Sequence, residues 1–396
     1  MNSDIRFFLK LLGAVISGEE LPDAPENADW NALYAIAAQH NVLNILAYGA
    51  VSEKYGLDML LTSKFLKAVA DGIKLGELQE KSFSELFAEF EKQGIDYMPL
   101  KGTIIKNIYA KPDMRRMSDA DILIRKCQLK KARTVMYELG YEFVLESNHE
   151  FNYTKPPFIN VELHKLLVPD YNDDLYEYYG DGWKVAKKVG SAFRYEMSKE
   201  DFFVFTFIHF AKHYRDAGVG VKHILDIWLY QKKVPDIDME YVFKQFEKLN
   251  VKEFFENTQR LIKCWFEDEE FDEASKKITA FILTSGEFGN VKNKASSKAI
   301  RDYMNKDISK AKKYSFLRLV FPDFQHMKES YPILGKIPLL LPVMWIVRLV
   351  RGVLFRRDNI AYHKGRVESI DEEYIKAYIK HMDEVGLDIY NGRKNK

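Results

Sequence analysis

The spacing of apolar residues divides the chain into helical regions and one section with strand character. Over residues 1–91, apolar side chains recur every three or four positions, as at Phe8, Leu11 and Val15. This is the period of an amphipathic helix. The same period returns after about residue 201. The pattern therefore predicts helical regions on both sides of a shorter section of mixed structure.

The mixed section combines short apolar runs with two helical stretches. The helix that precedes this section ends at Gly94, where the glycine is a helix stop signal. Strand-like runs and helical stretches then follow one another in the order β-α-β-α-β-β-β. The predicted strands are 95–100, 118–124, 141–145, 151–154 and 158–164, and the predicted helices are 102–108 and 129–139. We therefore predict an α+β protein.

Composition narrows the classes of protein that the chain can belong to. Lys and Arg number 59 against 58 for Asp and Glu, which gives a net charge of +1 and no general reason to bind long nucleic acid. The content of apolar residues, 47%, excludes an intrinsically disordered chain. Two cysteines exclude a disulfide-rich scaffold and an all-cysteine zinc site. No apolar segment reaches the ~20 residues that span a bilayer, so we expect a cytoplasmic protein.

Three acidic residues form the strongest candidate for a reaction centre. Asp119 and Asp121 are two positions apart on a predicted strand, so their carboxylates project from the same face. Two such charges repel each other, and Mg²⁺, which prefers hard oxygen ligands, relieves the repulsion. Glu162, on a later predicted strand, supplies a third acid. This set predicts a two-metal site for phosphoryl-type transfer.

A turn between a strand and a helix is the candidate site for phosphate. Lys101 and Gly102 close the first predicted strand and open a helix, whose free backbone amides can hold phosphate oxygens. The positive charge for a triphosphate comes from Lys101, Lys106 and Arg116, and the guanidinium can bind two oxygens at once. We therefore predict that Lys101, Gly102, Lys106 and Arg116 bind the nucleotide.

These motifs together resemble those of a known family. The residues are LKG at 100–102, RMSDADILI at 116–124 and VELH at 161–164. They resemble the uncharacterised nucleotidyltransferase family of the DNA polymerase beta-like nucleotidyltransferase superfamily. Further similarity to the helical part of that family lies in residues 209–213, 222–226 and 321–348. The resemblance extends over about residues 87–355.

The resemblance implies a fold, a reaction and a set of cofactors. The implied fold is a small mixed-sheet, polymerase beta-like nucleotidyltransferase core embedded in predominantly helical N- and C-terminal regions. The implied reaction moves a nucleoside monophosphate from an NTP to an acceptor hydroxyl of a small molecule, a glycan precursor or a peptide, and it releases pyrophosphate. Two Mg²⁺ ions, or Mn²⁺ in their place, are held by Asp119, Asp121 and Glu162. Glu162 also helps to deprotonate the acceptor hydroxyl.

The sequence departs from the superfamily pattern at one turn. One alternative to the enzymatic function also stays open. The superfamily usually has Gly-Ser at the phosphate turn, where this chain has Lys101-Gly102. The alternative is a catalytically inactive nucleotide-binding module or a membrane-associated interaction module. An inactive fold has no need to hold three mutually repelling carboxylates together, which favours the enzyme.

The same patterns predict a division of the chain into four regions. These are an N-terminal helical region (1–85), the nucleotidyltransferase core (86–185), a helical domain (186–315) and a C-terminal helical region (316–396) with an apolar and basic segment.

Three histidines and an aspartate are secondary candidates. His209 and His213 share a helix face, but the Glu of a His-Glu-x-x-His zinc motif is missing. Substrate contact and structural hydrogen bonding both remain open for them. With Asp226, which we expect to neutralise His213 or Lys222, they are the candidates for substrate binding. We expect His164 on the opposite sheet face from Glu162, as a structural residue.

An apolar segment near the C-terminus allows two interpretations. Residues 337–347 are apolar except for two prolines, and Arg348, Arg351, Arg356 and Arg357 follow. A helix of this kind packs in a core or lies in a membrane interface. We favour packing against the helical domain and retain peripheral membrane contact through residues 337–357 as the alternative.

Overall fold

The computed structural model describes residues 2–170, 172–190, 193–303, 317, 320–324, 327–328, 331–355 and 372–387. They divide into two compact units. The first contains the described residues of 2–211, 220–287 and 385–387, and the second contains those of 212–219 and 288–384. The division into four regions stays a prediction, and a long helix at residues 59–93 extends across its first boundary.

The first unit contains a small mixed sheet between helices. Its helices are α1 (Ser3–Ser17), α2 (Trp30–Gln39), α3 (Leu43–Ala50), α4 (Met59–Gln93), α5 (Gly102–Ile105), α6 (Leu129–Glu138), α7 (Asp173–Tyr179), α8 (Lys199–Asp216), α9 (Lys222–Lys233), α10 (Met239–Lys248), α11 (Lys252–Phe266) and α12 (Glu273–Ser285), and α8 continues into the second unit. The second unit also holds α13 (Val291–Tyr303), α14 (Leu341–Phe355) and α15 (Glu372–Glu384).

Five strands form the main sheet. They are β1 (Tyr97–Pro99), β2 (Ala120–Ile124), β3 (Glu142–Glu146), β4 (Glu150–Lys155) and β5 (Ile159–His164), and a separate ribbon pairs β6 (Lys187–Lys188) with β7 (Tyr195–Glu196). The order across the sheet is β1-β2-β5-β4-β3. Strands β2 and β5 are parallel, and the other neighbours are antiparallel. The predicted order β-α-β-α-β-β-β and the α+β class with a mixed sheet are confirmed.

Helices α4 and α6 cover one face of this sheet. The predicted helix stop is confirmed, because α4 ends at Gln93 and Gly94 follows with a left-handed φ of 66°. Phe83, Leu86 and Phe90 of α4 pack in one buried cluster with alternate residues of β2, such as Ile122. Since side chains alternate along a strand, the residues between these point to the opposite face of the sheet. That second face is available for polar chemistry.

The C-terminal apolar segment does not pack as we expected. Leu339, Val343, Ile346 and Val350 are exposed, so the favoured interpretation of core packing is wrong for these four residues. Arg356 and Arg357 lie outside the described residues. Among the residues that the structure describes, no helix combines the length and the apolar character that crossing a bilayer requires.

A buried ion pair connects α9 to the segment that leads into β2. The Arg115 guanidinium donates to Asp226 through Nε, 2.7 Å from Oδ1, and through Nη2, 2.7 Å from Oδ2. The Tyr109 hydroxyl donates to the same carboxylate at 2.7 Å. Arg115 also donates to the backbone carbonyl of Arg116 at 2.9 Å. We call Tyr109, Arg115 and Asp226 the clamp, because they hold residues 109–116 against α9.

The clamp predicts a large loss of stability when its cation is removed. In Arg115→Met, Asp226 keeps a buried charge without its partner, and we expect the free energy of unfolding in urea to fall by about 3 kcal/mol. Removing both charges, in Arg115→Met/Asp226→Asn, should recover a good part of that loss. The matched control is Lys67→Met, which breaks the exposed Lys67–Asp71 pair of α4 and should cost less than about 0.5 kcal/mol. Equal losses for Arg115→Met and Lys67→Met would contradict a buried clamp.

Candidate active site

The parallel pairing of β2 and β5 places two acidic residues side by side. In the register of these strands Asp121 lies directly beside Glu162. Neighbouring residues of paired strands project from the same face, so both carboxylates point away from the side that α4 and α6 cover. Asp119 precedes β2 by one residue. The adjacency of Asp121 and Glu162 that we predicted is therefore confirmed.

His164 also belongs to this face, which corrects the sequence prediction. Its Nε2 lies 2.8 Å from Oδ1 of Asp121 and 3.5 Å from Oε2 of Glu162. The physical reason is the alternation of side chains: His164 is two residues after Glu162 on β5, and positions i and i+2 share a face. Our placement of His164 on the opposite face was wrong.

Asp121 is the centre of a compact charged group. Its Oδ1 accepts a hydrogen bond from the Lys101 ammonium at 2.9 Å and contacts His164. One ligand atom from each of Asp121, Glu162 and His164 lies within 4.8 Å of the other two. Asp121 and His164 are buried, and Glu162 is half-buried.

A second layer of polar residues from β4 surrounds His164. Glu150 Oε2 lies 3.9 Å from Nε2 of His164 and 2.8 Å from Nε2 of His149. Burial alone would raise the pKa of Glu150, but the hydrogen bond from His149 and the charge of His164 lower it to about 2. Glu150 is therefore a permanent anion that helps to fix the His164 ring.

The two aspartates differ strongly in their affinity for protons. Burial and the charges of Asp121 and Glu162 raise the pKa of Asp119 to about 7. Burial acts in the same direction on Asp121, but the Lys101 charge and the hydrogen bond from His164 hold the pKa of Asp121 well below its ordinary value. Burial lowers the pKa of His164, whereas its bonds to Asp121 and Glu162 raise it to about 9. Lys101 and His164 are thus the cations that allow Asp121 to stay charged.

The turn that carries Lys101 has an unusual backbone. Lys101 adopts φ 48° and ψ −117°, a region that residues with a Cβ rarely occupy. The turn lies beside β2, because the backbone amide of Leu100 donates to the carbonyl of Asp121 at 3.0 Å. At Gly102 a Cβ would lie 2.9 Å from Sδ of Met117, so a side chain there would require Met117 to move. The backbone at both positions brings the Lys101 ammonium to Asp121.

A cavity of about 620 Å³ lies between α4 and residues 106–117. Arg116 and Lys106, which we predicted to bind the nucleotide, both contribute to its wall. The Lys106 ammonium is bonded to Glu80. Among the described residues, Nε of Arg116 is buried without a hydrogen-bond partner. The cavity has a size typical of small-molecule sites.

The predicted substrate-binding residues His209, His213 and Asp226 lie on helices α8 and α9, whereas Asp121 and Glu162 lie on the sheet. His209 is on α8 with its ring centroid 6.2 Å from that of His223, and His213 is on the part of α8 that belongs to the second unit. Asp226 accepts hydrogen bonds from Arg115 and Tyr109, and its charge also favours the protonated form of Lys222, one of the two partners that we expected.

The pairing of Lys222 with Glu287 and the roles of Glu150 and Arg115 were not predicted from the sequence. Lys222 pairs with Glu287, which follows α12, and both side chains are buried. The pKa of Asp119 is raised overall by burial and by the neighbouring acids, and the charge of Lys222 opposes part of this rise. The i and i+4 spacing of Lys222 and Asp226 signals a shared helix face. The alternation of side chains along β4 could have indicated Glu150. Arg115 could have been considered because it stands next to Arg116.

The acidic group is chemically suited to a divalent cation. Carboxylate oxygens from Asp121 and Glu162 are the donors that Mg²⁺ and Mn²⁺ prefer, whereas His164, a cation bonded to Asp121, would have to lose its proton before it could bind a metal. Asp119 is not one of the three residues within 4.8 Å, but its raised pKa reflects the nearby charges of Asp121 and Glu162.

A solved structure, the solution structure of the antibiotic-resistance factor ANT(2'')-Ia, is similar over 49% of this chain and 100% of that chain, with 12% identity and a TM-score of 0.32. No curated protein matches the sequence.

The family comparison covers more than half of the chain. The model of the family described as "Uncharacterised nucleotidyltransferase" matches residues 26–267. The match includes the Lys101-Gly102 turn, the strands that carry Asp121 and Glu162, and the helix that carries Asp226. This chain therefore belongs to the uncharacterised nucleotidyltransferase family and is a nucleotidyltransferase.

Proposed function

We propose that this nucleotidyltransferase moves a nucleoside monophosphate from an NTP to a hydroxyl group of a small molecule, a glycan precursor or a peptide, and releases pyrophosphate. The observation that carries the proposal is the adjacency of Asp121 and Glu162 on parallel strands, with Lys101 and His164 beside them. Such a group of acids and cations suits the transfer of a charged phosphoryl unit.

The metal-binding residues in this proposal are Asp119, Asp121 and Glu162. Two Mg²⁺ ions, or Mn²⁺ in their place, would supply positive charge for the triphosphate and for the developing negative charge at phosphorus. The low pKa of Asp121 keeps its carboxylate available at neutral pH. His164 and Lys101, which hold that carboxylate in place, act as positioning residues.

The chemical step exchanges one bond at the α-phosphorus for another. The acceptor oxygen forms a bond to this phosphorus, and the bond between the α-phosphorus and the oxygen that bridges to the β-phosphorus breaks. The electron pair of the broken bond leaves with pyrophosphate. The Glu162 carboxylate accepts the proton from the acceptor hydroxyl, because it is half-buried and lies on the acid face.

Lys101, Gly102, Lys106 and Arg116 are the proposed nucleotide contacts. The strongest case is Arg116, because its buried Nε lacks a hydrogen-bond partner among the described residues. The 620 Å³ cavity that it lines includes none of the three acids, so the cavity itself is not evidence for the phosphate site. A guanidinium in such a position favours an anionic group. Gly102 contributes through the backbone amides of the turn, because the space beside its Cα is filled by Met117.

Several finer points also belong to the proposal. His209 and His213 are retained as candidates for substrate contact, whereas Asp226 is assigned a positioning role through the clamp. We propose a cytoplasmic location and no long nucleic-acid partner, since the net charge is +1. Family membership favours the enzyme over the catalytically inactive alternative.

A double-label experiment tests the reaction. Purified protein is incubated with Mg²⁺ or Mn²⁺, a cell extract and each NTP labelled at either the α- or the γ-phosphorus. We expect label from the α-position in a product and label from the γ-position in pyrophosphate. Mass spectrometry of the labelled product identifies the acceptor. Transfer of γ-label to the product would indicate phosphoryl rather than nucleotidyl transfer and would contradict the proposal.

Variants of the acidic residues test the metal site in the same assay. Asp119→Ala, Asp121→Ala and Glu162→Ala should each lower transfer by at least about a hundredfold, because each removes a ligand or the base. The matched control is Asp23→Asn, whose side chain is 94% exposed and which should retain full activity. Chelation of divalent ions should abolish transfer by the unchanged protein. Transfer that persists under chelation would exclude the proposed role of the metal.

Substitution of Arg116 separates binding from chemistry. Arg116→Gln should raise the KM for NTP by about tenfold or more, with a smaller change in kcat, since a charge-assisted hydrogen bond contributes about 1.5–3 kcal/mol. Arg116→Lys should recover part of the affinity but not all of it, because a single ammonium does not replace the planar guanidinium. An unchanged KM in Arg116→Gln would remove this residue from the nucleotide site.

The backbone of Lys101 leads to a further test. Glycine adopts a φ of 48° without strain, whereas lysine does not. The presence of Lys101 therefore indicates that its ammonium makes a contribution to the site that offsets the unfavourable backbone conformation. Lys101→Met and Lys101→Gly should both lose transfer activity. Lys101→Gly, however, should be more stable than Lys101→Met by about 1 kcal/mol in urea unfolding, because Met retains the Cβ.

A pair of control variants reverses the sign of that difference. Lys67 lies inside α4 with an exposed side chain. There Lys67→Gly should be less stable than Lys67→Met by about 1 kcal/mol, as expected for glycine in a helix. If Lys101→Gly were also the less stable of its pair, the unfavourable conformation at Lys101 would be refuted.

A further inference from the structure

The second unit carries an apolar stripe on helix α14 and the residues before it. Val343, Ile346 and Val350 are spaced by three and four residues on α14, which places them on one side of the helix, and Leu339 lies in the 3-10 turn just before it. These four residues are called the stripe. Their exposed fractions are 90%, 49%, 64% and 52%. Isolated exposed apolar residues are ordinary, but a contiguous stripe of this kind marks an interaction surface.

The opposite side of α14 is held by its own unit. The Trp345 indole donates to the backbone carbonyl of Pro322 at 2.8 Å, and its ring packs edge-on against Phe321 at 5.3 Å between centroids. Leu334, which precedes the helix, is fully buried and anchors this region. The orientation of the stripe is therefore fixed by these contacts, and the apolar side chains face away from them.

The segment that carries the stripe has charges of a single sign. Between Glu329 and Asp358 the sequence contains no acidic residue. Within the described part of that segment, Lys336 and Arg351 are exposed basic residues at either end of the stripe, and Arg348 is half-buried on α14. An apolar stripe flanked by cations and free of anions is complementary to a bilayer surface that exposes anionic headgroups.

We infer that α14 lies in the interface of a membrane that contains anionic lipids, with the stripe toward the acyl chains and Lys336 and Arg351 at the headgroups. This membrane contact does not depend on the chemistry of the acidic site. It attaches the protein to a surface peripherally. A second protein or a second copy of this chain would also cover an apolar stripe, but the absence of acids over the whole segment favours anionic lipid.

Vesicle flotation of the purified chain of 396 residues tests this contact. The probes are vesicles of phosphatidylcholine alone and of an equimolar mixture of phosphatidylcholine and phosphatidylglycerol. We expect flotation with the mixed vesicles and much less with phosphatidylcholine alone. Leu339→Glu/Ile346→Glu should lower binding to the mixed vesicles by about tenfold or more, because two apolar side chains are replaced by anions. Leu60→Glu is the matched control, since Leu60 is 83% exposed on α4, and it should bind as the unchanged protein does.

The basic residues provide an independent measurement. Arg351→Gln should weaken binding to mixed vesicles by about fivefold, as expected for one cation near an anionic surface. Raising the salt to about 1 M, where the Debye length is about 3 Å, should also weaken it. Circular dichroism confirms that each variant is folded before it is compared.

Three results would overturn the inference. The first is no flotation of the unchanged protein with mixed vesicles. The second is flotation that Leu339→Glu/Ile346→Glu and Leu60→Glu reduce equally. The third is a dimer of the unchanged protein that Leu339→Glu/Ile346→Glu dissociates, in the absence of vesicle binding, because the stripe would then be a contact between copies of the chain.

Discussion

The candidate active site depends on keeping one buried carboxylate charged. Asp121 lies on a central strand of the sheet, where burial alone would favour its protonated form. Lys101 from the turn after β1 and His164 from β5 both contact its Oδ1. Because these two cations come from different elements, the pairing of β1, β2 and β5 and the charge state of Asp121 support each other. A sheet that lost this pairing would also lose the charge on which the proposed transfer relies.

Much of the core could be predicted from the sequence because its determinants are local. The period of apolar residues changes from that of helices to that of strands near Gly94, and the order of the seven elements of the core follows from this change. The proximity of Asp121 and Glu162 follows from strand alternation and from one assumption about which strands are neighbours. His164 is instructive, since the same alternation rule, applied correctly to positions 162 and 164, gives the face that the structure has.

Other features could not be predicted because they depend on distant parts of the chain. Arg115 and Arg116 are adjacent, and only the position of Asp226 on α9 decides that Arg115 is the buried member of an ion pair. The positive φ of Lys101 was not expected, because a sequence rule assigns such a conformation to the neighbouring glycine. An apolar helix in a core and one on a surface have the same composition, so the exposure of Ile346 had to come from tertiary packing.

The clamp has a consequence for the modularity of this protein. Arg115 belongs to the segment between β1 and β2, whereas Asp226 belongs to a helix more than a hundred residues later. The sheet with its acidic residues is therefore not a separable piece to which helices have been added. A fragment that ended before α9 would retain Asp119, Asp121 and Glu162. Its Arg115, however, would have lost the carboxylate that neutralises it in the whole chain.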